Sequence, residues 1–420
     1  MRTISINRIV GVLLFVACCF PYISPIDTPF DTQPYAIALA GVIIILFFFA
    51  NKDFPIPKML IPFLLIFLYS ILLLLMSNDI GMGFRSIVGY GSVILISLAA
   101  FATFKHVRGK HFIFVVSVWL FFGLVQLLVD KSFGSFMLSR LSTSESRGIT
   151  SLAAEPSFYS IICIFLFVLN DLFYSKKEYS KRMYSFIFLL LFVQLILSQT
   201  GVGFMLFLVY LIAKMVSQLD FKRTVKQFFA LGVVGAVFIG LFQMVDSLKY
   251  SRLGSLIDVG LSNPTLLLFT DGSVADRAVH IILSHASLLF SYGIGFGLGN
   301  WGDHSEELAT RVGGITLDIA RVNMTEEGRI MSGWGTPIFE IGIFGLLFML
   351  TFLFIMIRGF KTVDTSLKSV YLSSFITIYF VMLNAVPIAF PLFGYVVGVF
   401  TYEQIKGKYA RKRNPELAVQ

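Results

Sequence analysis

Twelve apolar runs, most of them about 15–24 residues long, divide this chain, and a run of that length is what one membrane crossing requires. They lie near 9–23, 34–50, 57–76, 86–104, 111–129, 156–174, 184–198, 201–216, 228–243, 336–357, 369–384 and 387–404. Lipid offers no partner to an open backbone N–H or C=O, so each run is expected to be a helix. The expected fold class is therefore all-α: a polytopic integral membrane protein of about twelve transmembrane helices, read as one transmembrane domain over 1–420. Two connections are too long to be turns, a shorter loop at 130–155 and a long loop at 244–332 that holds short amphipathic helices.

Composition excludes the main alternatives. A chain 57% hydrophobic and 14% charged cannot clothe itself as a soluble globule does. Cys18, Cys19 and Cys163 all lie inside apolar runs, so no disulfide framework is expected. The first run follows Arg2 and Arg8 as a signal peptide would, but no small-residue cleavage pattern follows it, and an uncleaved first helix is expected. The net charge of +9 is distributed by topology: with both termini inside, 23 of the 33 Lys and Arg residues fall on alternate connections or the adjoining span ends. That is the positive-inside pattern, and it argues against a nucleic-acid partner. The tail from Lys406 to Arg413 is a basic inner-face anchor.

The opposite face keeps Arg85, Lys131, Arg140 and Arg147, and the long loop adds Lys249, Arg252, Arg277, Arg311, Arg321 and Arg329. In Arg147 to Phe158, Pro156 suits the first position of a helix with Glu155 just outside it. Such a helix start attracts anions, and Arg147 adds charge there. Glu155 can take a proton from a hydroxyl or simply complement the helix dipole. In the long loop, Ser273 and Asp276 form a capping box, and Arg277, His280 and Ser284 follow on one helical face. Arg277 suits a diphosphate and His280 a base; both equally suit lipid headgroups. The alternating glycines from Gly293 to Gly299 indicate a tight loop, approaching either a sugar phosphate or another helix. Thr336 and Pro337 are expected to open a span with Glu340 one turn in, where an acid signals function or pairs with Arg329. Arg85 begins the fourth span, as a ligand or as a snorkelling side chain. His280, His285 and His304 lack a metal-ligand spacing, so no metal or cofactor is expected.

With these segments in view, the chain resembles a Wzy-type O-antigen polymerase. The resemblance rests on Arg147-Gly148 through Glu155-Pro156-Ser157-Phe158, on the Leu197–Gly201 turn, on Arg277 followed after fifteen residues by Gly293, and on Glu340–Gly345, in that order. The chain departs from a paired arrangement, because the position sixteen after Arg147 is Cys163. The resemblance implies a metal-independent glycosyltransferase of the bacterial inner membrane, with both loops periplasmic. Its substrates would be undecaprenyl-diphosphate-linked oligosaccharides. Glu155, His280 and Arg277 would then be catalytic, and Arg85, Arg147, Arg329, Glu340 and Gly293 would bind the lipid diphosphate or glycan. Membrane lipid and a chain-length regulator are the implied partners. Two alternatives share much of this reading: an O-antigen ligase, acting on lipid A core through a loop histidine, and a lipid-oligosaccharide flippase. A flippase would need charge along a route inside the spans, and the runs hold little.

Overall fold

The computed structural model describes residues 6–24, 30, 32–51, 56–75, 79–138, 148–218, 252–263, 272–314, 330–384 and 386–413. Arg147, Arg329, Ser273's side chain and the apolar run at 228–243 lie outside the described residues. The described part is helical, with an isolated antiparallel bridge between Ile23 and Leu138 and no strand among the described residues.

In chain order the helices are α1 (Ile6–Cys19), α2 (Tyr35–Asn51), α3 (Ile61–Leu74), α4 (Ile80–Thr103), α5 (Gly109–Leu128), α6 (Pro156–Ser175), α7 (Lys181–Ser198) and α8 (Gly201–Val216). There follow α9 (Arg252–Ser262), α10 (Gly272–Phe290), α11 (Trp301–Val312), α12 (Gly335–Ile341), α13 (Ile343–Thr362), α14 (Thr365–Asn384) and α15 (Pro391–Arg413). Six of them are long and apolar enough to cross a membrane: α4 with its extension to His106, α5, α6, α7, α13 and α14. Shorter apolar helices, α1, α2, α3 and α8, pack among them.

Helix α6 is the hub. Every residue from Pro156 to Phe173 is buried, as a helix that is apolar on all faces must be, and α5, α7, α8 and α14 surround it. A second axis pairs α4 with α15. Gly394 and Gly398 stand one turn apart there, the small-residue spacing that lets membrane helices approach closely. The Ser97 hydroxyl donates to the Gly394 carbonyl at 2.8 Å, and a Cβ at Gly398 would come within 2.8 Å of the Ala100 Cβ. The outward faces carry exposed Leu65, Phe121, Phe186 and Phe354, a surface suited to lipid.

Where one end of the bundle meets α10–α12, a separate small core forms from Ala275, Val279, Leu283, Trp301, Leu308, Ile330 and Phe339. We call this the loop end. The opposite, basic end carries an ion-pair cluster. Asp171, closing α6, lies 2.6 Å from Lys214 Nζ and accepts from the Tyr184 and Tyr210 hydroxyls, each at 2.8 Å.

Against twelve expected runs, six helices among the described residues have the length and hydropathy of a crossing, and two of the runs also differ in where their helices begin and break. The run at 336–357 is not one helix: Gly342, at φ 58° and ψ −124°, separates α12 from α13. The Gly293 carbonyl occupies the break and accepts from the Ile343 N–H at 2.9 Å. Thr336 is not the cap of α12; the Ser332 hydroxyl accepts from the Gly335 N–H at 3.0 Å, and Thr336 itself donates to the Ser332 carbonyl. Likewise Val386–Phe390 is irregular, and α15 starts only at Pro391, where a missing N–H costs nothing. Helix α10 begins at Gly272, so Ser273 falls inside it rather than before it.

Candidate functional site

Glu340 is 4% exposed, and a carboxylate at that depth needs donors. It has three. Ser86 Oγ donates to Oε1 at 2.5 Å, the Gly299 N–H donates to the same oxygen at 3.0 Å, and the Tyr90 hydroxyl donates to Oε2 at 2.8 Å. Ser86 and Tyr90 lie one turn apart on α4, which is why both reach one side chain. Arg85 precedes Ser86, and its positive charge acts on the Glu340 carboxylate. Arg85, Ser86, Trp301, Thr336, Glu340 and Ile388 line a cavity of about 60 Å³. That volume holds little more than a water or two or the tip of a ligand.

The glycine loop closes the cavity from one side. Gly293, Gly295, Gly297 and Gly299 have φ of 80°, 92°, 88° and 74°, values that disfavour any side chain. Space is as restrictive as angle: a Cβ on Gly295 would lie 2.6 Å from the Glu340 carbonyl oxygen, and one on Gly299 would lie 2.7 Å from the Met82 Cβ. The loop then bonds along α12, with the Phe296 N–H on the Phe339 carbonyl at 2.8 Å and the Gly297 N–H on the Glu340 carbonyl at 3.0 Å. Of the two readings open for these glycines, close approach to a helix is the one the structure contains. Gly293 lies at the far end of the loop, with open space where its Cβ would be.

Helix α10 turns a polar face inward, as its spacing predicts: Arg277, His280, Ser284 and Ser287 are all buried. Neither Arg277 nor His280 therefore faces lipid headgroups. The Met331 N–H donates to His280 Nδ1 at 3.1 Å, which leaves Nε2 as the protonated nitrogen of the neutral ring. Nε2 stands 3.5 Å from Asp276 Oδ1, and Trp301 meets the ring edge-on at 5.3 Å. Burial pushes the His280 pKa below its ordinary value; Asp276 opposes that shift and Arg277 adds to it. The lone pair a base would use is thus engaged by backbone. His280 clasps α10 to the segment before α12.

Glu155 stands at the N-cap of α6, half-buried, with the Ser157 hydroxyl bonded to its Oε1. The segment leading to it is anchored by Gln126 of α5, a residue the sequence did not single out. Gln126 accepts from the Ser151 N–H at 2.7 Å and donates to the Ser151 carbonyl at 2.8 Å. Ser151 has φ 52°, a strained angle for serine, and its hydroxyl donates to the Trp119 carbonyl at 2.8 Å. The Leu197–Gly201 turn packs on the same segment, through the Ile149 N–H on the Leu197 carbonyl at 3.0 Å.

The structure thus joins Arg85 with Glu340 in one cavity that neither Glu155, Arg277 nor His280 lines. His280 reaches its margin through Trp301 and Met331. Ser86 and Tyr90, invisible as candidates in an apolar run, complete the acid's environment. Among the described residues, no group of three or more His, Cys, Asp or Glu is placed to hold a metal. Comparison with protein-family models finds no match, and comparison with characterised proteins finds none.

Proposed function

We propose that this protein polymerises undecaprenyl-diphosphate-linked oligosaccharides into O-antigen or a related surface polysaccharide. The observation that carries the reading is the buried Glu340 carboxylate, held by Ser86, Tyr90 and Gly299 beside Arg85 at the loop end of the bundle. An acid deep in an apolar protein defaults to a functional role, and here it lies beside Arg85 and the glycine loop that ends at Gly299. In this reading the protein has about twelve spans, lies in a bacterial inner membrane with both termini cytoplasmic, and turns its loop end to the periplasm.

The chemistry follows from the residues. A hydroxyl of the incoming lipid-linked unit attacks the anomeric carbon of the growing glycan. The bond from that carbon to the diphosphate oxygen breaks, and undecaprenyl diphosphate leaves with the electron pair. Arg85 and Arg277, with Arg147 and Arg329, offset the negative charge that develops there. The hydroxyl proton passes to Glu155, a half-buried carboxylate at a helix start that lies outside the Glu340 cavity, so in this reading the bound glycan extends beyond that cavity; His280, its lone pair engaged, is a positioning residue. A chain-length regulator is the expected protein partner.

The test is deletion followed by electrophoresis of surface polysaccharide. A single repeat unit on core supports the polymerase. Polymer retained on the carrier lipid would instead indicate a ligase, and repeat units retained inside would indicate a flippase.

A further inference from the structure

A second cavity lies at the basic end of the bundle, between the turn at Lys58–Leu60 and the last turns of α13 and α15. It encloses about 260 Å³, and its lining includes Lys58, Arg358 and Lys408, with no carboxylate among the described residues that line it. All three cations are exposed. Gln404 lines the same cavity but is 1% exposed. Its Nε2 donates to the Ile355 carbonyl at 2.6 Å and to the Tyr371 hydroxyl, while its carbonyl oxygen receives no hydrogen bond among the described residues. The cavity therefore offers three positive charges with no acid in its described lining to offset them.

An apolar groove of about 400 Å³ lies between α3, which follows the Lys58–Leu60 turn, and α13, lined by Leu65, Ile66 and Tyr69 of α3 and by Leu347, Leu350 and Phe354 of α13. The two helices run in opposite directions from this end. From Lys58 the groove follows α3 forward, and from Arg358 it follows α13 backward. The Arg358 guanidinium stands 5.8 Å from the Phe354 ring centroid, at the junction of cavity and groove.

We propose that cavity and groove form one binding site for an anionic glycerophospholipid. Its phosphate lies against Lys58, Arg358 and Lys408, and one acyl chain follows the groove. Basic pockets between membrane helices suit anionic headgroups by charge, and the groove supplies the length that a free phosphate would not use. Charge narrows the headgroup: phosphatidylglycerol brings a net negative charge to the three cations, whereas phosphatidylcholine is neutral overall and adds a cation.

The test uses purified full-length protein in detergent, titrated with phosphatidylglycerol, phosphatidylcholine or inorganic phosphate. Retained lipid is read by native mass spectrometry and protection by thermal melting. Phosphatidylglycerol is expected to be retained and to raise the melting temperature, with no rise from phosphatidylcholine. Each cation at an anionic lipid is worth roughly fivefold in affinity, so neutralising two of them in K58Q/R358Q should weaken phosphatidylglycerol binding about 25-fold. Both positions are exposed, so the variant keeps its fold. Leu347→Trp fills the groove and should reduce lipid retention without touching the cations. Equal protection by phosphatidylcholine, or wild-type retention in both variants, overturns the site. Equal protection by inorganic phosphate reassigns it as a plain anion pocket and overturns the lipid.

Discussion

Ser86 and Glu340 are 254 positions apart, yet the Ser86 hydroxyl donates to Glu340 Oε1 at 2.5 Å. Together with Tyr90 and Gly299, this bond ties α4, the glycine loop and α12 to one carboxylate. The packing of three segments at the loop end therefore converges on a single side chain.

Glu340→Ala leaves the buried Tyr90 hydroxyl and its fellow donors without an acceptor. Each unmatched buried donor costs about 1–3 kcal/mol, so the variant should melt well below the parent protein and yield no polymer. Glu340→Gln keeps one acceptor oxygen and should melt between the two. An unchanged melting temperature for Glu340→Ala would remove this cluster from the account of stability.

The glycines of the loop should not be equivalent. Gly293→Ala meets only its φ of 80°, with open space beyond, and should cost about 1–2 kcal/mol, as a left-handed alanine does. Gly295→Ala meets the same kind of angle and also the Glu340 backbone at 2.6 Å. It should release the loop, seen as faster hydrogen exchange at 293–300. Similar exchange in the two variants would show that angle alone governs the loop.

Acid should loosen α10. The His280 pKa is lowered in the folded protein from an ordinary value near 6.5. Its contribution is fully present above that ordinary value and is lost as pH falls through the folded value. Proteolysis of the 272–314 segment should accelerate below about pH 6.5, and His280→Gln should flatten that dependence. A profile unchanged by the substitution would place the acid response elsewhere.

At the basic end, Lys214→Met removes the cation from Asp171, whose side chain is 4% exposed and keeps only the Tyr184 and Tyr210 hydroxyls among its described partners. Breaking one partner of a buried pair costs about 3–5 kcal/mol; the partly exposed Lys214 places this pair at the lower edge. Asp171→Asn added to Lys214→Met should recover most of the loss in a double-mutant cycle read by thermal melting.

Glu155→Gln and His280→Ala divide the proposed chemistry. The first should abolish polymer with little change in folding. The second should weaken the clasp and shorten or reduce polymer without abolishing it. Full polymer length from Glu155→Gln would clear that residue of the base role.

Helices were legible in the chain because lipid imposes one period and one length on every crossing. The start of α6 at Pro156, and the shared face of Arg277, His280 and Ser284, were legible for equally local reasons. What the chain could not reveal was distance. Ser86 and Tyr90 are ordinary residues of an apolar run until α12 is brought beside them, and Gln126 matters only because Ser151 folds back onto it. The break at Gly342 has a local sign in the glycine itself, but the carbonyl of residue 293 that fills it comes from far off in sequence.

That inserted carbonyl also limits how the protein can be rebuilt. A loop seated in a helix break is not a detachable module, because its last turn completes the hydrogen bonding of the span that follows. Chimeras that exchange the segment before Gly299 but keep the host's own residues at 340–343 would join two halves of unmatched shape. Exchanging both pieces together preserves the fit, so the smallest transplantable unit of specificity here is discontinuous.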